Sequence, residues 1–526
     1  MDSKKNFKSN KIMVQVSKIN KKNINDLSAS KIIIELKKKK KIIGLCHGTF
    51  DLLHLGHIKH FKFAKNHCDI LFVSVTHDKF VNKGFNRPIF NTSQRCEMLN
   101  SLDLIDHIIV SRCVTAEDTI RLIKPDLYFK GPDYKNNKKD SSGNIFKEKK
   151  LVEKFNGKII YTDDETFSSS RLIANNFSIY NEEQENFLNK IKIKYSFSDI
   201  TTLLNKLSIK KFLVIGENII DRYVFCDPIG KSGKEPHIVL RRIYEHKYAG
   251  GALAIANHIS SFVNSVDYFT GLGKEVILEK KFIKSNSAKK IKLSYVYRND
   301  VPTIIKTRFI DRLSHYKIAG IYDLNDKQIT SDQEQKFKFK IINLLKKHDN
   351  VIVADYGHGL LTQKLANEII AKSKNLNLNA QLNASNLGYH NLKKYRNFNN
   401  LLINEAELRH EFKDKTSDIK SLAKKISFEQ NIKNVVVTRG LNGVLMYNKK
   451  KKNFYSCPAF ASKVIDKVGA GDALFSVYSL LSSIKVEEDL NLFISSVATS
   501  RVVETVGNSV TIDKNYLLRT LEHMLK

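Results

Sequence analysis

The stretch KIIGLCHGTFDLLHLGHIKHFKFAKNH, residues 41–67, decides the fold of the first part of the chain. A short apolar run, a glycine turn and a segment with helical spacing follow one another, the pattern of a strand feeding a helix. The amino end of a helix carries unpaired N–H groups and partial positive charge, so such a junction suits phosphate. Gly48 and Gly56 permit close backbone approach, and His54 and His57 flank Gly56 at the start of the helix. Two imidazoles so placed can donate hydrogen bonds to charge growing on an attacked phosphate. The same order of elements returns in DKVGAGDALFSVYSLL, residues 466–481. Each junction is expected to build a phosphate site, and the chain to be a fusion of two catalytic units.

Composition sets the outer limits. The 526 residues, 42% hydrophobic and 10% aromatic, suit two to four packed domains and exclude wholesale disorder. Apolar runs stay short of a membrane span, and the amino terminus has no secretory-signal pattern. Six cysteines without a C-x-x-C pair suggest reduced thiols and a cytoplasmic setting. The net charge of +34 is spread over both halves without an aromatic-interleaved basic stripe. It therefore reads as solvated lysine-rich surface that attracts anionic substrates, with nucleic-acid recognition as the rival reading.

Strands and helices alternate from residue 41 and again from Lys211, where KFLVIGE opens a new series. This alternation implies α/β architecture with parallel sheets covered on both faces. The expected division is an amino-terminal extension over 1–40, a first domain over 41–178, a helical connector over 179–208 and a second domain over 209–526. LNAQLNA, residues 378–384, reads as one strand of the second domain.

The first domain resembles the cytidylyltransferase-like nucleotidyltransferases. GTFDLLHLGH matches their H-x-G-H motif, NRPIFNTSQR their R-P and Q-R segment, YFKGPDY their K-G-x-D-Y segment, and ETFSSSRLI their closing serine motif. The resemblance implies a Rossmann-like fold with His54 and His57 as catalytic residues. It places Gly48, Thr49, Phe50, Lys83, Arg87, Lys130, Ser168, Ser169 and Ser170 on the nucleotide. Arg95 falls on the next helix, and Gly131 and Asp133 at the mouth of the site. Taken singly, each has a plainer reading: a histidine pair can bind metal, the serines can cap a helix, and Arg87 and Lys130 can be solvated charges.

The second domain resembles the PfkB, or ribokinase-like, sugar kinases, built as an α/β sandwich with a small lid. In G-A-G-D, residues Gly469, Ala470 and Gly471 would present N–H groups to a transferred phosphoryl group. Asp472 would take the proton of the attacking hydroxyl, although an aspartate there can also simply cap the helix. VIGENIIDRY places Asp221 on sugar hydroxyls, and YAGGALAIAN places Gly250 and Gly251 at the substrate clamp. INEAE matches N-x-x-E, with Asn404 and Glu407 near magnesium and phosphate, Glu407 acting on the metal indirectly. VVVTRGLNG gives Thr438, Gly440 and Gly443 to the nucleotide. VETVGNS, residues 503–509, resembles the late loop beside the adenine and a monovalent cation, K+. Departures from the family pattern are Ala254 for Asn, Val468 for Thr, and Asn383-Ala384-Ser385 for Asp-Pro-Lys.

Together the halves resemble the bifunctional heptose kinase/adenylyltransferases of ADP-heptose synthesis, with the domain order reversed. That likeness implies ATP, CTP or both, a sugar or sugar phosphate, and Mg2+ at both sites, with a homodimer as the analogous assembly. The alternative is a working transferase beside a degenerate kinase half that binds a sugar or a partner.

Overall fold

A computed structural model describes residues 26–81, 87–131, 144–162, 180–382, 386, 388–461 and 463–525. Lys83, Asp133, Ser168–Ser170 and Asn383–Ser385 lie outside the described residues. The chain forms two compact units, Met1–Ile179 and Tyr180–Lys526.

In the first unit the described elements are α1 (Asp26–Lys38), β1 (Ile43–Gly48), α2 (Leu55–Asn66), β2 (Ile70–Thr76) and α3 (Thr92–Asn100). They continue with β3 (His107–Ser111), α4 (Glu117–Ile123), β4 (Leu127–Lys130), α5 (Asn144–Lys154) and β5 (Lys158–Tyr161). The strands form one parallel sheet in the order β3-β2-β1-β4-β5. Period-two alternation splits its residues between two cores. Cys46, Leu71, Val73 and Phe129 pack on one face, and Leu45, Phe72 and Tyr128 on the other. Helix α1, inside the stretch set apart as an extension, puts Ala29 and Ile33 into the second of these cores. The order of connection reverses between β1 and β4. Loops leaving their carboxyl ends therefore diverge and open a crevice, which lies beside Gly48 and Lys130.

The second unit begins with α6 (Glu182–Lys194) and α7 (Phe197–Asn205), whose Leu188, Ile191, Ile200 and Leu204 join its core. Capping boxes at Asn181/Gln184 and Ser196/Asp199 start both helices. The strands are β6 (Lys211–Gly216), β7 (Asn218–Lys231), β8 (Ile238–Gly250), β9 (Ser265–Leu272), β10 (Ile291–Tyr297), β11 (Ile305–Asp311) and β12 (Lys317–Asp323). Further along come β13 (Asn350–Asp355), β14 (Asn375–Ala380), β15 (Asn400–Asn404), β16 (Asn434–Thr438), β17 (Val444–Asn448) and β18 (Asn453–Cys457). The helices among them are α8 (Gly251–Ser260), α9 (Val276–Asn286), α10 (Ser331–Leu345), α11 (Gln363–Lys372), α12 (Glu405–Phe412) and α13 (Ile419–Glu429). The chain closes with α14 (Ala470–Ser482), α15 (Glu488–Val503) and α16 (Lys514–Leu525).

Nine strands make the main sheet, in the order β10-β9-β6-β13-β14-β15-β16-β17-β18. All pair in parallel except β16–β17 and β17–β18. Phe212, Val214, Ile352 and Ala354 face one core, and Leu213, Ile215, Val351 and Val353 the other, as a sheet covered on both faces requires. A second sheet, β12-β11-β7-β8, forms the lid. Its exposed face is polar and apolar by turns, and Tyr223, Phe225 and Ile310 form a small core on the other. The switch point of the main sheet lies between β6 and β13, so Glu217 and Tyr356 stand at the crevice. Two strands differ from expectation: β14 covers 375–380, so Gln381 and Leu382 follow it, and no strand leads directly into Gly469 among the described residues, since β18 ends at Cys457. No described helix is long and apolar enough to cross a membrane.

Candidate functional site

In the first unit, β1 delivers the chain into a turn at Gly48–Asp51, and α2 starts soon after it, at Leu55. Phe50 adopts a left-handed φ of 48° and is buried, its ring edge-on to His57 at 5.4 Å. A Cβ on Gly48 would come within 3.0 Å of that ring, so glycine is what lets the turn close. His54 caps α2: its Nδ1 accepts from the Gly56 N–H at 3.1 Å. A neutral ring used this way carries its proton on Nε2, the edge available as a donor. The rings of His54 and His57 stack with centroids 3.9 Å apart. The motif thus brings both imidazoles together at a helix amino end, beside the β1/β4 crevice.

Two cations expected on the nucleotide, Arg87 and Lys130, are ion-paired within the first unit, as is Arg95 of the next helix. Arg87 Nε lies 2.7 Å from Asp51 Oδ2, and both side chains are buried. Asp51 also accepts from the N–H groups of Ile89 and Phe90 at 2.9 Å, which fastens the turn to the 87–90 segment. Arg95, wholly buried, donates to the carbonyls of Phe90, Thr49 and Thr76 and to Asp78 Oδ1. It is therefore a structural tie rather than a phosphate ligand. The buried Lys130 pairs with Glu148 Oε2 at 2.9 Å, and Glu148 also accepts from Ala116 N–H and the Tyr128 hydroxyl. Burial would raise the Glu148 carboxyl, but Lys130 and the Ala116 N–H outweigh it and hold it below the usual range. Thr49 is buried, and a Cβ on Gly131 would meet nothing within 4 Å, so the chain is open there.

In the second unit, Asp472 lies buried in the first turn of α14, where the Tyr356 hydroxyl donates to its Oδ1 at 2.8 Å. Burial pushes its carboxyl up to about 7; the Asp221 charge adds to this, while Tyr356 and Lys306 oppose it. Gly469 adopts a φ of 83°, and a Cβ there would lie 1.8 Å from Asn508 Oδ1, so the turn demands glycine. Around Gly471 there is open space, and Gly469, Ala470 and Gly471 are partly exposed. The helix end is therefore accessible.

Asp221, on β7, is buried and ion-paired with Arg308 of β11. A Cβ on Gly250 would lie 2.2 Å from its Oδ2, and one on Gly251 (φ 59°) 2.6 Å from the Glu217 carbonyl. The glycine pair thus makes room for the carboxylate and for a close approach to the β6–β7 junction. Asn404 and Glu407 form a capping box: Asn404 Oδ1 accepts from Glu407 N–H, and Glu407 Oε2 from Asn404 N–H. Burial pushes Glu407 up to about 7 against those bonds, and the charge of Asp472 adds to the shift. Thr438 ends β16 and Gly440 is exposed beneath open space. Gly443 is structural, since a Cβ there would meet the Cys457 carbonyl at 2.1 Å.

Sequence reasoning missed Tyr356, Glu217, Lys306 and Arg308. Glu217 is buried and accepts from the N–H groups of Tyr356 and His358, which fastens β6 to the end of β13. Burial and the neighbouring Asp355 raise its carboxyl. Lys306 and Arg308 alternate on β11, so they share a face, and Lys306 is buried deeply enough to lower its ammonium. The period-two spacing of two cations in IIKTRFI was the available signal.

Each of the two α/β units brings polar side chains to the amino end of a helix beside the crevice of its parallel sheet. The sequence profile of pfkB family carbohydrate kinases matches residues 209–489, and that of cytidylyltransferase-like proteins residues 45–176. The chain belongs to the pfkB family of carbohydrate kinases. Among curated relatives, the bifunctional protein HldE of a Nitratiruptor species is 38% identical over 126 residues, 24% of this chain and 27% of that protein. HldE of Campylobacter jejuni (strain RM1221) is 24% identical over 308 residues, 58% of this chain and 63% of that protein. The chain thus spans between about a quarter and just under two thirds of these relatives. Phosphofructokinase-2 from Escherichia coli superposes with a TM-score of 0.46 at 14% identity, over 60% of this chain and 100% of that one.

Proposed function

We propose that the chain carries out two consecutive transfers: phosphorylation of a sugar phosphate by ATP, and transfer of a nucleotidyl group from ATP or CTP to a sugar phosphate. In the first, a sugar hydroxyl oxygen bonds to the γ-phosphorus, the bond to the β-phosphate oxygen breaks, and ADP leaves. Asp472 receives the hydroxyl proton; a carboxyl held near 7 is matched to that task. The N–H groups of Gly469–Gly471 face the charge on the transferred group. In the second, a phosphate oxygen of the sugar bonds to the α-phosphorus and pyrophosphate leaves. His54 and His57 donate hydrogen bonds to the α-phosphate as its charge rises.

The observation that carries the kinase reading is the buried Asp472 at an open helix end, hydrogen-bonded by Tyr356 and within the field of Asp221 and Lys306. A phosphorylated acceptor is favoured over a free sugar because β11 sets two cations, Lys306 and Arg308, against one carboxylate. The resemblance of the two motif sets to the bifunctional heptose kinase/adenylyltransferases makes a heptose phosphate the first candidate to try. Glu407 would act on a magnesium ion indirectly, since the backbone N–H groups of Asn404 and Leu382 already bond its two oxygens. When bound, the ion would neutralise the phosphate charges.

Incubating the full chain with each NTP and a library of sugars and sugar phosphates tests both transfers, because only the kinase releases ADP and only the transferase releases pyrophosphate. ADP and pyrophosphate above background with one sugar series support the proposal. Pyrophosphate without ADP supports the alternative of a kinase half that only binds.

A further inference from the structure

Asp466 stands where the chain enters the turn before α14, and its side chain is only 3% exposed. Four donors converge on it. Oδ2 accepts from the Tyr223 hydroxyl at 2.8 Å and the Gly507 N–H at 2.9 Å. Oδ1 accepts from the Val468 N–H at 3.0 Å and from the Lys317 ammonium at 2.5 Å. One carboxylate thus joins three parts: the turn that leads into Gly469, the late loop 503–509, and the lid through β7 and β12. The late loop is further tied down, since Ile465 and Asp466 donate their N–H groups to the Val503 carbonyl.

This is the region where the resemblance to sugar kinases led us to expect a monovalent cation. The side chains present do not fit one. A carboxylate has about four acceptor positions, and all four on Asp466 are taken. Beside the turn, the buried side-chain oxygen without a hydrogen bond among the described residues is Asn508 Oδ1, packed over Gly469. One such oxygen does not make a cation shell. The positive charge at Asp466 is already supplied, by a compact ammonium on a flexible stem.

We propose that Lys317 is a built-in monovalent cation of the kinase unit, organising the Gly469–Gly471 turn from the lid so that no K+ is needed. The inference rests on the kinase reading of this site, and it assigns Lys317 a positioning role, since it acts through Asp466. It also makes the charge conditional on the lid, because β12 brings Lys317 to the turn. Lys317 keeps 40% of its side chain exposed, so Lys317→Met removes the charge and retains most of the stem without opening a core.

The test uses full-length wild type, Lys317→Met and Lys317→Arg, in KCl and in tetramethylammonium chloride at equal ionic strength. Two readouts are taken: the thermal unfolding midpoint of the kinase unit, and ADP release with the best acceptor from the library above. Expected are wild-type and Lys317→Arg values that agree between the salts, with ADP rates within twofold. Lys317→Met should unfold earlier in tetramethylammonium and recover saturably with KCl, its ADP rate rising at least tenfold. Wild type that gains more than fivefold from KCl overturns the inference. So does Lys317→Met that matches wild type in both salts, or that is impaired and regains nothing from KCl. If no acceptor yields ADP, the kinase reading fails, while the salt dependence of the midpoint still decides for or against Lys317.

Discussion

The Tyr356 hydroxyl donates to Asp472 Oδ1 at 2.8 Å across 116 residues of chain, joining the end of β13 to the first turn of α14. This bond brings the turn after the central strand and the amino end of a late helix to the same carboxylate. Burial alone would leave Asp472 a weak acid without a fixed orientation; Tyr356 orients it and opposes part of the shift. Removing the hydroxyl with Tyr356→Phe should raise the apparent pKa of the ADP-forming rate above its wild-type value. A pH–rate profile unchanged by Tyr356→Phe would refute this role.

The carboxyl contribution to stability should also depend on pH with a definite sign. Asp472 and Glu407 are both pushed up to about 7, so the folded unit binds protons there that the unfolded chain has released. Their contribution is fully present below the unfolded values near 4 and is lost as pH rises through 7. His258, His358 and His390, whose imidazoles burial lowers, act in the opposite direction. The carboxyl contribution is therefore read from the difference between wild type and Asp472→Asn, which should grow from pH 5.5 to pH 8. Asp472→Asn should remove up to about 4 kcal/mol of the carboxyl penalty at pH 8 and little at pH 4. Calorimetric scans at the three pH values check this, and a loss of stability on Asp472→Asn at pH 8 would contradict it.

His54 has two duties that substitution can separate. It caps α2 through Nδ1, and a neutral ring used in this way carries its proton on Nε2. His54→Ala should cost about 1 kcal/mol through the lost cap and also abolish pyrophosphate release. His54→Asn should restore the cap while pyrophosphate release stays at least 100-fold down. Urea unfolding beside the pyrophosphate assay measures both effects. An active Asn variant would show that the ring matters only as a cap.

Gly250→Ala should act through space, not backbone strain. The new methyl would sit 2.2 Å from Asp221 Oδ2 and displace a carboxylate paired with Arg308. We expect at least a tenfold rise in KM for the acceptor, with KM for ATP within twofold. A matching rise for both substrates would place Asp221 away from the acceptor.

Arg95→Ala should destabilise the first unit by about 3–5 kcal/mol, because Asp78 and three carbonyls lose their shared partner. Urea unfolding should show a lower midpoint with loss of the folded baseline near ambient temperature. A change below about 1 kcal/mol would instead fit a surface residue facing phosphate.

Much of this was legible in the sequence because glycine–helix junctions are local. H-x-G-H specifies its turn directly after β1, whereas G-A-G-D specifies only the start of α14, because β18 ends at Cys457, twelve residues before Gly469. The fate of long cations was not legible. Arg87, Arg95 and Lys130 are chemically suited to phosphate, yet Asp51, Asp78 and Glu148 come from other elements and are met only after packing. The same holds for N-x-x-E, where the spacing that suggests a magnesium neighbour is also that of a capping box, and Asn404 and Glu407 form one. The lid was harder to read: its strands are half exposed, so their patterns are broken, and Lys306 and Arg308 drew no notice.

The central claim is that two independent phosphate sites share one chain, and reciprocal inactivation tests it most directly. Full-length wild type, His57→Ala and Asp472→Ala are compared for ADP and pyrophosphate release, with circular dichroism confirming the fold. His57→Ala should lose pyrophosphate release and keep ADP formation within twofold, and Asp472→Ala should do the reverse, each loss being at least 100-fold. A folded variant that loses both products would contradict the account.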